Sequence, residues 1–126
     1  MKSYIIALII PFSLVSLDIN LDAIIQAIRN GDTKELSAYL NNTVDISIFD
    51  DEKTYSKSQA IKVLNDFFAK NPPSNFTEIH KGTSRGQDSH YCIGNLDTKN
   101  NSYRVYIYLK KHGNRYLIEE LSFDEE

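Results

Sequence analysis

The chain of 126 residues has no tryptophan, five glycines, three prolines, three histidines and a single cysteine. One cysteine, Cys92, excludes an intrachain disulfide and a zinc site built from several cysteines. The histidines show neither a His-x-His nor a His-x-x-x-His spacing, so the sequence contains no metal-binding pattern. We therefore expect neither a metal nor a cofactor, and we predict that Cys92 is a small buried hydrophobe in a strand.

Motifs for nucleotide binding and nucleophilic hydrolysis are also missing. The chain has no Gly-x-Gly-x-x-Gly sequence, no Gly-x-x-x-x-Gly-Lys-Ser/Thr sequence and no Gly-x-Ser-x-Gly elbow. Its formal net charge is −3, and the only basic run is residues 110–112. This balance disfavours nucleic acid and anionic membrane surfaces as partners.

One long hydrophobic run is present, at the N-terminus. After a positive start at Lys2, residues 5–17 carry no charge until Asp18. The run has the size of a secretory h-region and is shorter than the roughly 20 apolar residues that span a bilayer. We predict that residues 1–16 are a signal peptide cleaved after Ser16, which leaves a periplasmic or extracellular protein with no stable membrane span. A buried first element of the fold and an uncleaved anchor are the alternatives.

The first half of the remaining chain has helical patterns. Apolar residues at helical spacing stop at Gly31, which predicts a first amphipathic helix. A capping box at Asp32 predicts a second, short helix whose apolar edge reaches Leu40. A further capping box at Ser56 predicts a longer helix that ends before Pro72.

A short strand is predicted between the second and third helices. Val44, Ile46 and Ile48 alternate with polar residues, as in a strand with one buried face. Residues 50–53 follow as a turn. The same alternation directs Asp45 away from the buried face, which weakens it as a catalytic carboxylate.

The second half of the chain predicts four strands joined by short, turn-rich connections, so the strands should pair as an antiparallel meander. Their predicted ranges are 76–83, 89–97, 103–111 and 115–123. Helices followed by such a meander are typical of an α+β fold. We predict a single domain over residues 17–126, in which helices pack on one face of a curved antiparallel sheet.

The third of these strands has two unlike faces. The side chains predicted to face the core are Tyr103, Val105, Ile107 and Leu109. The side chains on the opposite face are Arg104, Tyr106, Tyr108 and Lys110. An exposed aromatic stripe on a sheet is typical of an oligomer contact, so we predict a homodimer through this second face. The alternative is a partly solvated face flanked by loops.

Several stretches carry a resemblance to a known family. They are AIRNGD at 27–32, YSKSQA at 55–60, DFFAKNPP at 66–73, HKGTS at 80–84, YRVY at 103–106 and YLIEEL at 116–121, with Glu35, Leu36, Phe76, Tyr91 and Gly94. With this order of elements, the chain resembles DUF4783, a family of small exported bacterial proteins within the NTF2-like (cystatin-like) superfamily. The resemblance implies a cone of helices on a curved sheet, and it supplies no catalytic residues.

Known NTF2-like enzymes place a carboxylate or histidine base and tyrosine donors inside the cone. By that comparison the candidate catalytic residues are His80, Glu78 and Tyr91. Strand alternation predicts that His80 shares the face of Phe76 and Glu78, and that His80 reaches inward if Phe76 does. A surface ion pair between Glu78 and His80 is the alternative.

Two functions are compatible with these residues. The first is an exported, non-catalytic binding or assembly module that holds a small apolar ligand in the cone or a partner on its tyrosine-bearing face. The second is a small-molecule lyase or isomerase that uses His80 with Glu78 or Tyr91 inside the cone. The other histidines, His90 beside a polar turn and His112 in a hairpin, are predicted to be solvated.

Overall fold

The structure is a computed structural model that describes residues 20–126. Its elements are α1 (Leu21–Asn30), α2 (Thr33–Ser37), β1 (Leu40–Ile48), β2 (Asp51–Ser56), α3 (Lys57–Lys70), β3 (Pro73–Thr83), a 3-10 turn (Arg85–Gln87), β4 (Ser89–Thr98), β5 (Ser102–His112) and β6 (Arg115–Glu125). The predicted signal peptide, residues 1–16, lies outside the described residues. Within the described residues, each helix is too short or too polar to cross a bilayer.

The six strands form one sheet in the order β2-β1-β6-β5-β4-β3. The predicted meander is confirmed, because β3 to β6 pair successively as antiparallel neighbours. One pairing departs from the predicted antiparallel sheet and makes it mixed: β1 runs parallel to β6, with Ile46 opposite Leu121. This pairing joins residues far apart in the sequence, so no hairpin turn between the two strands predicts it.

Two local predictions before the third helix are wrong. The second helix was predicted to reach Leu40, but it ends at Ser37, and Leu40 begins β1 opposite Ile118. The Ile118 amide donates to the carbonyl of the residue before Leu40 at 2.7 Å, which draws the chain into the sheet. Residues 51–53 belong to β2 and not to a turn. The two residues before them, both with positive φ, reverse the chain alone, as in a two-residue hairpin.

The predicted caps of the longer helices are confirmed. Gly31 ends α1 with a φ of 62°, and its amide donates to the carbonyl of Ile28 at 3.1 Å. At the start of α3, the Ser56 hydroxyl accepts from the Gln59 amide, and the Gln59 side chain accepts from the Ser56 amide, both at 3.3 Å. These contacts set where each helix begins or ends, and therefore which side chains face the sheet.

The sheet has an inner face, covered by the helices, and an outer face. On β5 the inner-face side chains are Tyr103, Val105, Ile107 and Leu109, all at most 2% exposed as predicted. The outer-face side chains of β5 are Arg104, Tyr106, Tyr108 and Lys110, which are half-buried or exposed. Helix α3 packs on the inner face through Phe67, whose ring centroid lies 4.5 Å from Phe123 and 5.4 Å from Tyr103. Aromatic rings therefore fill the space between α3 and the sheet.

Candidate functional site

A β-bulge in β3 separates two of the predicted catalytic residues. Phe76 is buried on the inner face, and Glu78 lies opposite Gly94, which is also an inner-face position. The register then shifts, so that His80 lies opposite Ile93 on the outer face. The prediction that His80 shares the face of Phe76 and Glu78 is wrong, because one extra residue in a strand reverses the alternation beyond it.

His80 and Tyr91 form a contact on the outer face. The His80 Nε2 and Tyr91 Oη atoms are 2.7 Å apart, and the two rings lie 5.5 Å apart. Glu78 is on the other side of the strand, where its carboxylate lies 3.8 Å from the Lys81 ammonium group. An acid–base site needs ionisable groups that converge on a water-poor cavity. Glu78 instead lies on the opposite face from His80 and Tyr91, and His80 is exposed.

The tyrosines of the outer face form a cluster across β4 and β5. Tyr91 stacks on Tyr106 with 6.3 Å between ring centroids, and it lies directly opposite Tyr108. On β3, Gly82 leaves room for the Tyr91 ring, since an added Cβ there would come within 2.5 Å of it. The prediction that Tyr106 and Tyr108 lie on the sheet face that points away from the core is confirmed. Among the described residues, no helix packs over this cluster.

Carboxylates border the tyrosine cluster on its β6 side. Glu120 is half-buried and lies opposite Tyr108 on one side and Asp45 on the other. Burial raises the pKa of Glu120 above its ordinary value, and the nearby charges of Glu52 and Asp45 raise it further. Burial, and then Glu120, also raises the pKa of Tyr106. Asp45 points away from the core, as predicted.

Glu120→Gln is expected to raise the thermal midpoint at neutral pH, and this gain should disappear below the ordinary glutamate pKa of 4.5. Because the folded-state pKa is raised, the Glu120 carboxylate destabilises the fold above that folded-state value and has no such effect once it is protonated in both states. Thermal unfolding of both proteins across this range measures the difference. An equal gain at acidic and neutral pH would contradict the assignment.

The remaining histidines have different surroundings. His90 was predicted to be solvated, which is wrong: it is 8% exposed and packs edge-on against Tyr116 at 4.6 Å. The reason is that His90 alternates in step with Cys92 and Leu96, so it is an inner-face residue despite the adjacent turn, and its burial lowers its pKa. His112 is exposed as predicted, and its Nε2 contacts the carboxylate of Glu119.

Cys92 is fully buried in β4, as predicted from its apolar neighbours. Burial raises the pKa of its thiol to about 11, and the charge of Glu78 contributes to the rise. A thiol with such a pKa is protonated at neutral pH and is a poor nucleophile. Among residues 20–126, no group of three or more metal-ligating side chains is placed to hold a metal ion.

A groove of 520 Å³ lies between β2 and α3. Its lining residues are Lys53, Thr54, Tyr55, Gln59, Lys62 and Val63. Sequence patterns missed this feature, because residues 51–53 were interpreted as a turn and the groove has β2 as one wall. The available signal for a strand there was Thr54-Tyr55, two residue types that are enriched in strands.

The chain is similar to proteins of one family and to solved structures with the same fold. The model of the family described as "Domain of unknown function (DUF4783)" matches residues 21–124. The crystal structure of a DUF4783 family protein from Bacteroides ovatus is 33% identical, with a TM-score of 0.79 over 82% of this chain and 93% of that one. A DUF4783 family protein from Bacteroides uniformis is 28% identical, with a TM-score of 0.80 over 84% and 96%.

A more distant structure shares the fold alone. The NTF2-like protein from Cytophaga hutchinsonii is 18% identical, with a TM-score of 0.63 over 89% of this chain and 96% of that one. Helices on one face of a curved sheet are thus shared beyond the closer relatives. A search of curated proteins gives no match.

Proposed function

The chain belongs to the DUF4783 family, which has the NTF2-like fold, and on this premise we propose that it is an exported, non-catalytic binding or assembly module that dimerises through the outer face. The observation that carries the proposal is the half-buried cluster of Tyr91, Tyr106 and Tyr108, which no described helix covers. Tyrosine is enriched at protein interfaces because its ring buries apolar area while its hydroxyl keeps a polar partner.

The composition of the outer face suits a two-fold interface. Its apolar centre continues from the tyrosines to Ile93 and Leu117, which are half-buried outer-face neighbours. In a two-fold dimer, one surface contacts a rotated copy of itself. This face carries both signs of charge, with Lys110 beyond one end of the tyrosines and Glu120 and Asp45 on the β6 side, and pairing of unlike charges would favour one orientation over others.

The surroundings of the predicted catalytic residues support binding over catalysis. The lyase or isomerase alternative requires His80 and Glu78 to act on one substrate, whereas the bulge in β3 places them on opposite faces. A small apolar ligand in the cone would need space above the sheet. Between α3 and the sheet, the described residues fill that space with rings such as Phe67 and Phe123. We therefore assign the assembly role to the outer face.

The double variant Tyr106→Glu/Tyr108→Glu is expected to be monomeric, while the parent protein has twice the mass of one chain. Two buried carboxylates per subunit would face their symmetry copies, and desolvating like charges opposes association. Light scattering coupled to size-exclusion chromatography measures the mass. The matched control is Phe49→Glu, at an exposed aromatic residue in the β1–β2 hairpin turn, which should leave the dimer intact.

A parent protein that stays monomeric over the whole concentration range would end the dimer proposal. The folded state of each variant is checked by circular dichroism, so that loss of mass is not confused with unfolding.

Export is tested by expressing residues 1–126 in a bacterial host and fractionating the cells. Cleavage after Ser16 would give a periplasmic or secreted chain that begins at Leu17, whereas an uncleaved chain that stays in the cytoplasm would contradict export.

A further inference from the structure

The groove between β2 and α3 lies on the helix-covered side of the sheet, away from the outer face. In the β1–β2 hairpin, Lys53 lies opposite Ile46, and Tyr55 lies opposite Val44. Both partners are at most 1% exposed inner-face residues. Lys53 and Tyr55 therefore point to the side where α3 packs, and they form one wall of the groove.

The groove has apolar walls and a cationic rim. The half-buried side chains of Tyr55 and Val63 supply apolar surface from opposite walls, while Lys53 and Lys62 are both exposed. Gln59 adds a neutral polar group at the same wall as Lys62. Its carbonyl oxygen is occupied by the capping box, which leaves its amide NH₂ as a donor. The charged side chains that line the groove, Lys53 and Lys62, are both cations.

The two lysines are available to a ligand. Lys62 makes no ion pair with any residue in the described part of the chain. Lys53 lies 3.6 Å from the Asp51 carboxylate, and the two side chains are 60% and 69% exposed. Exposed ion pairs of this kind contribute little, so a ligand anion can compete with Asp51 for the ammonium group. A cationic rim in a protein of net charge −3 is a local feature and does not reflect the overall charge.

We propose that this groove binds an amphipathic carboxylate, a small molecule with an apolar body and one anionic head. The body lies on Tyr55 and Val63, where it removes apolar surface from water. The carboxylate accepts charge-assisted hydrogen bonds from Lys53 and Lys62. The volume of 520 Å³ falls within the roughly 300–1,000 Å³ range of small-molecule sites. This site is separate from the outer face and does not depend on dimerisation.

Titration of the protein with octanoate tests the site. Amide chemical shifts in ¹⁵N NMR spectra should change with saturation at β2 and the first turns of α3, with no matching change on β5. Octanoate should bind more tightly than 1-octanol, which lacks the charge, and more tightly than acetate, which lacks the apolar body. Lys53→Gln and Lys62→Gln should each weaken octanoate binding about two- to fivefold, the loss expected for an ion pair at an exposed lysine.

Two controls separate this proposal from the others. Lys34→Gln, in α2 and outside the groove, removes the same charge from the protein and should leave the octanoate affinity unchanged. Tyr106→Glu/Tyr108→Glu should also leave it unchanged, so the dimer proposal can fail while this one holds. The site is refuted if octanoate shifts no groove amides, if octanol binds as tightly as octanoate, or if Lys34→Gln weakens binding as much as Lys62→Gln.

Discussion

Replacement of Gly94 by alanine is expected to lower the free energy of unfolding by about 3 kcal/mol. A Cβ atom at this position would lie 2.2 Å from Cζ of Phe76 and 2.9 Å from the carbonyl oxygen of Thr77. The carbonyl belongs to the backbone of β3, and Phe76 is 2% exposed on the inner face. Neither group can move away without disturbing the core. Urea unfolding of the parent and variant proteins measures the loss.

Gly82→Ala is the matched control for this prediction. Its added Cβ would also clash with a ring, at 2.5 Å from Cε1 of Tyr91. Tyr91 is half-buried on the outer face, where its ring can shift without disturbing the core, so we expect a loss below about 1 kcal/mol. The two glycines test the assignment of the two faces. Equal losses for Gly94→Ala and Gly82→Ala would show that one of the faces is assigned wrongly.

Phe67→Ala is expected to cost about 4 kcal/mol, because it removes the ring at the centre of the contact between α3 and the sheet. Phe67 is 4% exposed, and its ring lies 4.5 Å from Phe123, 5.4 Å from Tyr103 and 5.7 Å from Phe68. The surrounding rings come from a helix and two strands, so they cannot collapse into the vacated space together. The midpoint and slope of urea unfolding give the change.

Phe49→Ala provides the comparison for the aromatic cluster. Phe49 also contacts Tyr103, at 5.5 Å, but it is 46% exposed in the β1–β2 hairpin turn. Because about half of its surface is already in water, we expect a loss of about 1 kcal/mol or less. A loss at Phe67 as small as that at Phe49 would mean that α3 is held on the sheet by other contacts.

Local sequence signals predicted the elements whose ends are marked by nearby residues. The cap at Ser56 predicted where α3 begins, and Gly31 predicted where α1 ends. Alternating apolar and polar residues predicted the four strands of the meander. The resemblance to DUF4783 and to the NTF2-like fold is confirmed by the family match over residues 21–124. Caps and strand alternation depend on residues close together in the chain, and the family resemblance depends on short sequence motifs.

The candidate site was only partly predictable for the same reason. The outer-face position of Tyr106 and Tyr108 follows from simple alternation, and the structure confirms it. The position of His80 does not follow from alternation, because a bulge after Glu78 reverses it. No residue pattern in β3 predicts that bulge. Glycine at position 82 gave a weak signal, since it allows the Tyr91 ring to lie against β3.

The sequence by itself determined where α1, α3 and the meander lie and which face of β5 is buried, because caps, turns and alternation are encoded in neighbouring residues. Only the tertiary structure decided that β1 runs parallel to β6, and that the β2–α3 groove exists. It also decided that His80 faces outward. These features arise from contacts between residues distant in the chain, where the free energy of packing selects one arrangement among several that the local pattern permits.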